Sequence, residues 1–225
     1  MVRRQAIIAH ALKNKNKCQL TGHTQFDELL ARLEQSSDEK EQDALQAEIW
    51  EHFGTTGAVL ISDMASFSST SRRSGICHYL KLIRRARKLI APVIAANNGT
   101  LLKCDADNCY AFFENVDDAI HASFEANAAV FAANSEVDES EQIYLSVGVD
   151  YGKVLLVGDE EFFGDPVNTA SKLGEDLAIK AETLVTDRAL TESTFEVPSY
   201  AERMVARVSQ IEIHYVRLPM TEAVA

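Results

Sequence analysis

A surplus of positive charge is missing from this chain. Its 22 Lys and Arg are set against 34 Asp and Glu, a formal net charge of −12 with a pI near 4.9. That balance is poorly suited to sequence-independent binding of DNA or RNA, which depends on basic groups displacing counterions from phosphates. It still permits binding of a nucleotide if divalent cations neutralise the phosphates locally. Long apolar runs are missing as well. No stretch approaches the ~20 residues that span a bilayer, and the opening "MVRRQAIIAHALKNKNK" lacks the apolar core and small-residue cleavage site of a secretory signal. The four cysteines, Cys18, Cys77, Cys104 and Cys109, make no CxxC and no Cys/His zinc spacing. The expectation is a cytoplasmic, reduced protein with no membrane span and no nucleic-acid partner. Cys104 and Cys109 straddle a tight turn and read as small buried hydrophobes on adjacent strands.

What is present is a helical start followed by an alternation of strands and helices. With 46% hydrophobic residues over 225 positions, the chain can bury a substantial core. "DELLARLEQSSDEKEQDALQAEIWEHF" (27–53) has a cluster at Leu29, Leu30 and Leu33 and a spacing of four at Leu45, Ile49 and Phe53, the periodicity of helix. The polar "EQSSDEKEQD" between them is a solvated stretch or a break between two helices. From residue 57 the texture changes. "AVLIS" reads as a strand ending at Asp63. "YLKLIRRARKLIAPVIAANN" reads as a helix with Leu80, Ile83, Leu89 and Ile90 on one side, stopped by Gly99. "TLLKCDADNCYAFF" reads as a β-hairpin about Asp105 to Asn108, and "VDDAIHASFEANAAVFAAN" as a second helix. "QIYLSVGVDYGKVLLVG" predicts a strand, a turn at Tyr151–Gly152 and a further short strand. Residues 165–178 predict a helix, and "ETLVT" and "IEIHYVRL" two more strands.

The order strand, helix, strand, strand, helix, strand is the ferredoxin-like βαββαβ plan, an α+β antiparallel sheet with both helices on one face. The expected division is an N-terminal helical extension over 1–56 and a catalytic-type domain over 57–225. In this plan strands one and three are neighbours, so Asp63, at the end of one, approaches Asp107, in the turn before the other. Two carboxylates there repel unless they share a proton or hold a cation. Oxygen-only ligands favour Mg²⁺ or Mn²⁺. Taken singly, Asp63 and Asp107 are ordinary turn residues, Lys103 is an exposed strand residue, and Asn168 with Lys172 is a polar helix face behind the helix-start pair Asp165–Pro166.

Four segments taken together carry more. "LISDMASFS", "GTLLKCDADNCYAFF", "SVGVDYGKV" and "FFGDPVNTASKL" resemble, in order, the successive motifs of the class III adenylyl/guanylyl cyclase catalytic domain, and the likeness runs from about residue 57 to about residue 190. The GG(D/E)EF hairpin of diguanylate cyclases is absent. The resemblance implies a metal-dependent nucleotidyl cyclase that converts ATP to 3′,5′-cyclic AMP and pyrophosphate with two Mg²⁺ or Mn²⁺. It implies metal binding by Asp63, Asp107 and the Met64 carbonyl. The loop through Ser66, Phe67 and Ser68 would cradle phosphates, Lys103 and Glu161 would read the base, Asn168 would orient the ribose, and Lys172 would meet charge on the transferring phosphate. It implies a head-to-tail homodimer whose sites each draw on both subunits. Lys172 stands where the family carries arginine, Ala106 where it carries glycine, and Ser209 near where many members place a lysine, with Arg207 the nearest cation. The segment between Gly152 and Gly164 is short for the family's dimerisation arm. These departures keep open a catalytically weak, nucleotide-binding regulatory domain, or a cyclase for GTP or a pyrimidine triphosphate.

Overall fold

The computed structural model describes residues 15–65, 75–208 and 211–220, with side chains from residue 23 onward. Its elements are α1 (Lys15–Gln35), α2 (Glu39–Phe53), β1 (Gly54–Met64), α3 (Ile76–Ala96), β2 (Thr100–Asp105) and β3 (Asn108–Phe113). They continue with α4 (Val116–Asn134), β4 (Leu145–Val157), β5 (Glu161–Phe163), α5 (Asp165–Ser171), a π-helical turn (Lys172–Leu177), β6 (Glu182–Thr186), α6 (Asp187–Thr191), β7 (Glu202–Val208) and β8 (Ile211–Pro219). No helix among the described residues is long and apolar enough to cross a membrane.

The chain divides into two compact units. One comprises Met1–Thr55 with Leu155–Phe163, the other Thr56–Val154 with Gly164–Ala225. In the first, the polar stretch seen in the sequence is a true break: Asp38 caps α2 by accepting the Lys40 amide at 2.9 Å, as a short acidic side chain does at a helix start. Phe26, Leu29, Leu45 and Ile49 bury against Val157, and Phe26 stacks on Phe163 at 6.0 Å. Leu30 is exposed, so it is not part of the cluster its neighbours form.

The second unit holds most of the sheet, in the order β2-β3-β1-β4-β6-β8-β7; β5 and the end of β4 paired with it belong to the first. The first four strands follow the βαββαβ plan, and β1 lies between β3 and β4. The added strands break the antiparallel pattern once, because β4 and β6 run parallel. Helices α3 and α4 cover one face. Tyr79, Leu82, Ile83, Ala86, Ile90 and Ile94 of α3 pack with Ala119, Ile120 and Val130 of α4 on Leu60, Ala111, Phe113, Val147 and Val149. Leu80 points outward, 55% exposed, because Tyr79 and Leu82 occupy the buried stripe instead.

Helices are not confined to that face. Leu173 of the π-turn packs with Leu184, Ile213 and Tyr215, whereas their strand neighbours Val185 and Val216 point into the α3/α4 core, so α5 and its π-turn lie on the opposite side. Two glycines allow this. A Cβ on Gly174 would come within 2.7 Å of the Ile61 carbonyl oxygen, and one on Gly148 within 2.1 Å of that of Ala170. Backbone rests directly on backbone there, over the end of β1 that leads to Asp63. The turn expected at Tyr151–Gly152 is absent: β4 runs unbroken from Leu145 to Val157. Gly152 marks a close approach instead, where a Cβ would stand 2.9 Å from Pro166.

Candidate active site

The antiparallel pairing of β1 with β3 sets Ser62 opposite Cys109. One residue further, Asp63 meets Asp107, the second residue of the two-residue turn between Asp105 and Asn108. The two carboxyls are within hydrogen-bonding reach, and Asp63 is pushed up to about 7. Burial is the largest cause, followed by the Asp107 charge and hydrogen bond, with Glu175 adding repulsion and the Met64 amide opposing it. Among the described residues, no cation stands among the groups acting on Asp63. Tyr79 of α3 also interacts with Asp107, its phenol pushed up by burial and by that carboxyl. Glu175 of the π-turn also acts on Tyr110. Neither Tyr79 nor Glu175 carries a sequence signal, since one occupies an ordinary helix core position and the other lies in a polar run.

This donor set suits a hard divalent cation. Two carboxyls brought together supply charged oxygen ligands, and a cation would offset both the burial and the mutual repulsion that favour the protonated form of Asp63. Among the described residues no third His, Cys, Asp or Glu joins them in a metal-binding cluster. A cation here would complete its shell with backbone oxygen, water or a bound phosphate, the habit of Mg²⁺ at nucleotide sites.

The remaining sequence candidates fall in several places. Met64 buries its side chain in the α3/α4 core while its amide supports Asp63. Lys103 is exposed on β2, paired with Tyr110, its Nζ 5.1 Å from that ring's centroid. Asn168 is exposed on α5, and Lys172 opens the π-turn, with its amide bonded to the Asn168 and Thr169 carbonyls. The Lys172 ammonium donates to Asp176 at 2.8 Å. Glu161 belongs to the other compact unit, where its carboxylate lies 4.0 Å from His23. Ser66, Phe67, Ser68 and Ser209 lie outside the described residues. Arg207 sits on β7, a strand the sequence reading did not anticipate.

The hairpin that holds Asp107 has its own supports. Arg87 of α3 donates to the carbonyl oxygens of Cys104 at 3.2 Å and Ala106 at 2.6 Å. Ala106 has φ 46, the left-handed region that favours glycine, which gives a physical reason for the glycine the family carries at this position. A second, wholly buried carboxylate, Asp150, is bonded by Thr186 at 2.5 Å and by the Arg188 guanidinium, which also reaches Asp165 at the start of α5 at 2.7 Å. Burial pushes Asp150 up while Arg188 and Thr186 draw it down. Arg188 thereby ties β4, the end of β6 and the helix bearing Asn168 into one unit.

Comparison with known proteins agrees with this architecture. No family model matches the chain. A curated protein named "Putative adenylate cyclase 3" from Rhizobium meliloti (strain 1021) is 28% identical over 116 residues, which is 52% of this chain. The matched segment is 20% of that protein, so the chain corresponds to about a fifth of this relative's length. The crystal structure of an adenylate/guanylate cyclase/hydrolase from Silicibacter pomeroyi is 25% identical, covers 74% of this chain and 98% of its own, and has a TM-score of 0.62. The guanylyl cyclase Cya2 is 17% identical, with 75% and 94% coverage and a TM-score of 0.64. In sequence and in fold, the resemblance to the class III cyclase catalytic domain holds.

Proposed function

We propose that this chain, with its class III cyclase catalytic fold, is a metal-dependent nucleotidyl cyclase that converts ATP to 3′,5′-cyclic AMP and pyrophosphate. One observation carries the reading: Asp63 and Asp107 meet at one rim of the sheet with Asp63 pushed up to about 7. A fold does not maintain such a repulsive pair for stability. Asp63, Asp107 and the Met64 carbonyl would hold two Mg²⁺ or Mn²⁺. When bound, these ions would supply Lewis acidity at the 3′-hydroxyl and charge neutralisation at the phosphates.

In the reaction the ribose 3′-hydroxyl gives its proton to water, its oxygen bonds to the α-phosphorus, the bond from that phosphorus to the bridging oxygen of the β-phosphate breaks, and pyrophosphate leaves with that electron pair. Positioning and charge are what the protein must supply. In our reading Asn168 orients the ribose, Lys172 meets charge on the transferring phosphate, and the loop through Ser66, Phe67 and Ser68 binds the phosphates. Lys103 reads the base and favours adenine. We further propose a head-to-tail homodimer in which the two aspartates of one subunit work with Asn168 and Lys172 of the other.

One observation favours a second reading, a catalytically weak nucleotide-binding domain. Lys172 replaces a planar guanidinium with a point charge, and it is bonded to Asp176 in the free chain. Incubation of the purified chain with each nucleoside triphosphate and Mn²⁺ separates the two. Cyclic AMP from ATP, reduced at least ~100-fold in Asp63→Ala, supports the enzyme. ATP binding without turnover by the wild type supports the second reading, and no binding of any triphosphate contradicts both.

A further inference from the structure

Two thiols meet on the hairpin that carries Asp107. Cys104 and Cys109 are directly opposed across β2 and β3, and their sulfurs lie 2.8 Å apart. Opposed residues of an antiparallel pair have Cα atoms about 4.5–5.5 Å apart, inside the range a disulfide spans. The two are not equivalent. Cys104 is partly exposed and Cys109 is buried, so a small solute meets the first, and the second is reached through it. Arg87 binds the carbonyl oxygen of Cys104 itself, which places a fixed cation beside any thiolate formed there. Cys77 is exposed and serves as a control within the same molecule.

We propose that Cys104 and Cys109 form an oxidation site, at which hydrogen peroxide oxidises Cys104 and Cys109 resolves it into an intramolecular disulfide. In the first step the Cys104 thiolate attacks one peroxide oxygen; the S–O bond forms, the O–O bond breaks, and hydroxide leaves. The sulfur is oxidised to sulfenic acid and the peroxide is reduced. In the second, the Cys109 sulfur attacks that of Cys104. The S–S bond forms, the S–O bond breaks, and the departing hydroxide takes the Cys109 proton to become water. The ring so closed contains Ala106 and Asp107, which ties the turn bearing one of the paired carboxylates to the redox state of its surroundings. The inference rests on hairpin geometry and does not depend on the cyclase reading.

The test exposes the reduced full-length chain to hydrogen peroxide, blocks remaining thiols by alkylation at timed intervals, and locates them by peptide mass. The expected result is a Cys104–Cys109 bridge that dithiothreitol reverses, with the Cys104 thiol lost at least ~10-fold faster than that of Cys77, because proximity and an adjacent cation act only at the former. In Cys109→Ser, Cys104 should accumulate as sulfenic acid trapped by dimedone. The proposal is overturned if Cys104 and Cys109 stay alkylatable as long as Cys77 does, or if Cys104 pairs with Cys18 or Cys77 instead. The wild-type measurement decides alone should either variant fail to fold.

Discussion

Two carboxylate sites in the same unit are built in opposite ways. Asp150 is completely buried, yet a guanidinium and a hydroxyl are bonded to it. Asp63 is only half-buried, and what faces it is another acid. The first is a structural solution, in which a costly charge is paired and its pairing joins three elements. The second has no basic partner among the described residues, and a proton or a cation would relieve its repulsion. That contrast is what the proposed metal-binding role of Asp63 and Asp107 rests on.

Removing Arg188 attacks the balanced site and should have the largest effect on folding. Arg188→Met leaves Asp150 buried without its cation and should cost about 3 kcal/mol in urea unfolding, at the low end for a broken buried pair because the guanidinium is partly exposed. A loss under about 1 kcal/mol would mean that the network does not hold α5 in place.

The unbalanced site should show itself through pH. Asp63 is raised from 3.8 to about 7 on folding, so between about pH 4 and pH 7 the metal-free fold binds a proton that the unfolded chain has released. Stability therefore falls as pH rises through that window. About 2 kcal/mol should be lost between pH 5 and pH 8 after discounting for partial exposure, and Asp107→Asn should flatten the slope. Urea titrations at the two pH values check it; a flat wild-type profile would mean that folding does not raise Asp63, and an unchanged slope in Asp107→Asn that the Asp107 charge plays no part.

The smallest effect concerns the turn. Ala106→Gly removes the side chain from a left-handed residue and should stabilise the fold by about 0.5 kcal/mol, the relief of strain exceeding the added freedom of the unfolded chain. Thermal unfolding of the two proteins in parallel measures the difference, and a lower midpoint for the glycine variant would contradict it.

The sequence foretold the frame better than its edges. β1, β3 and α4 announce themselves because apolar runs end at turn formers, and their order implies that Asp63 nears Asp107. β7 was hidden because "ERMVARV" is an edge strand whose inner face, Met204, Ala206 and Val208, is only partly buried, and β5 is three residues long. The reading through Gly152 failed because a glycine in a strand can mark a close approach as well as a turn. Supporting residues were less legible than paired ones. Arg87 and Arg188 look like solvated helix charges until tertiary packing aims them at Cys104, Ala106 and Asp150. The bend of residues 165–178 into a π-turn is equally invisible in the sequence, since its close approach to β1 at Gly174 is a tertiary contact.

The most direct test of the central claim is Mn²⁺ titration by calorimetry at pH 8, with a non-hydrolysable ATP analogue present, on the wild type and on Asp63→Asn and Asp107→Asn. Saturable Mn²⁺ binding is expected in the wild type, weakened at least ~10-fold in each variant, since each removes a charged oxygen ligand. Unchanged Mn²⁺ affinity in both variants would contradict it.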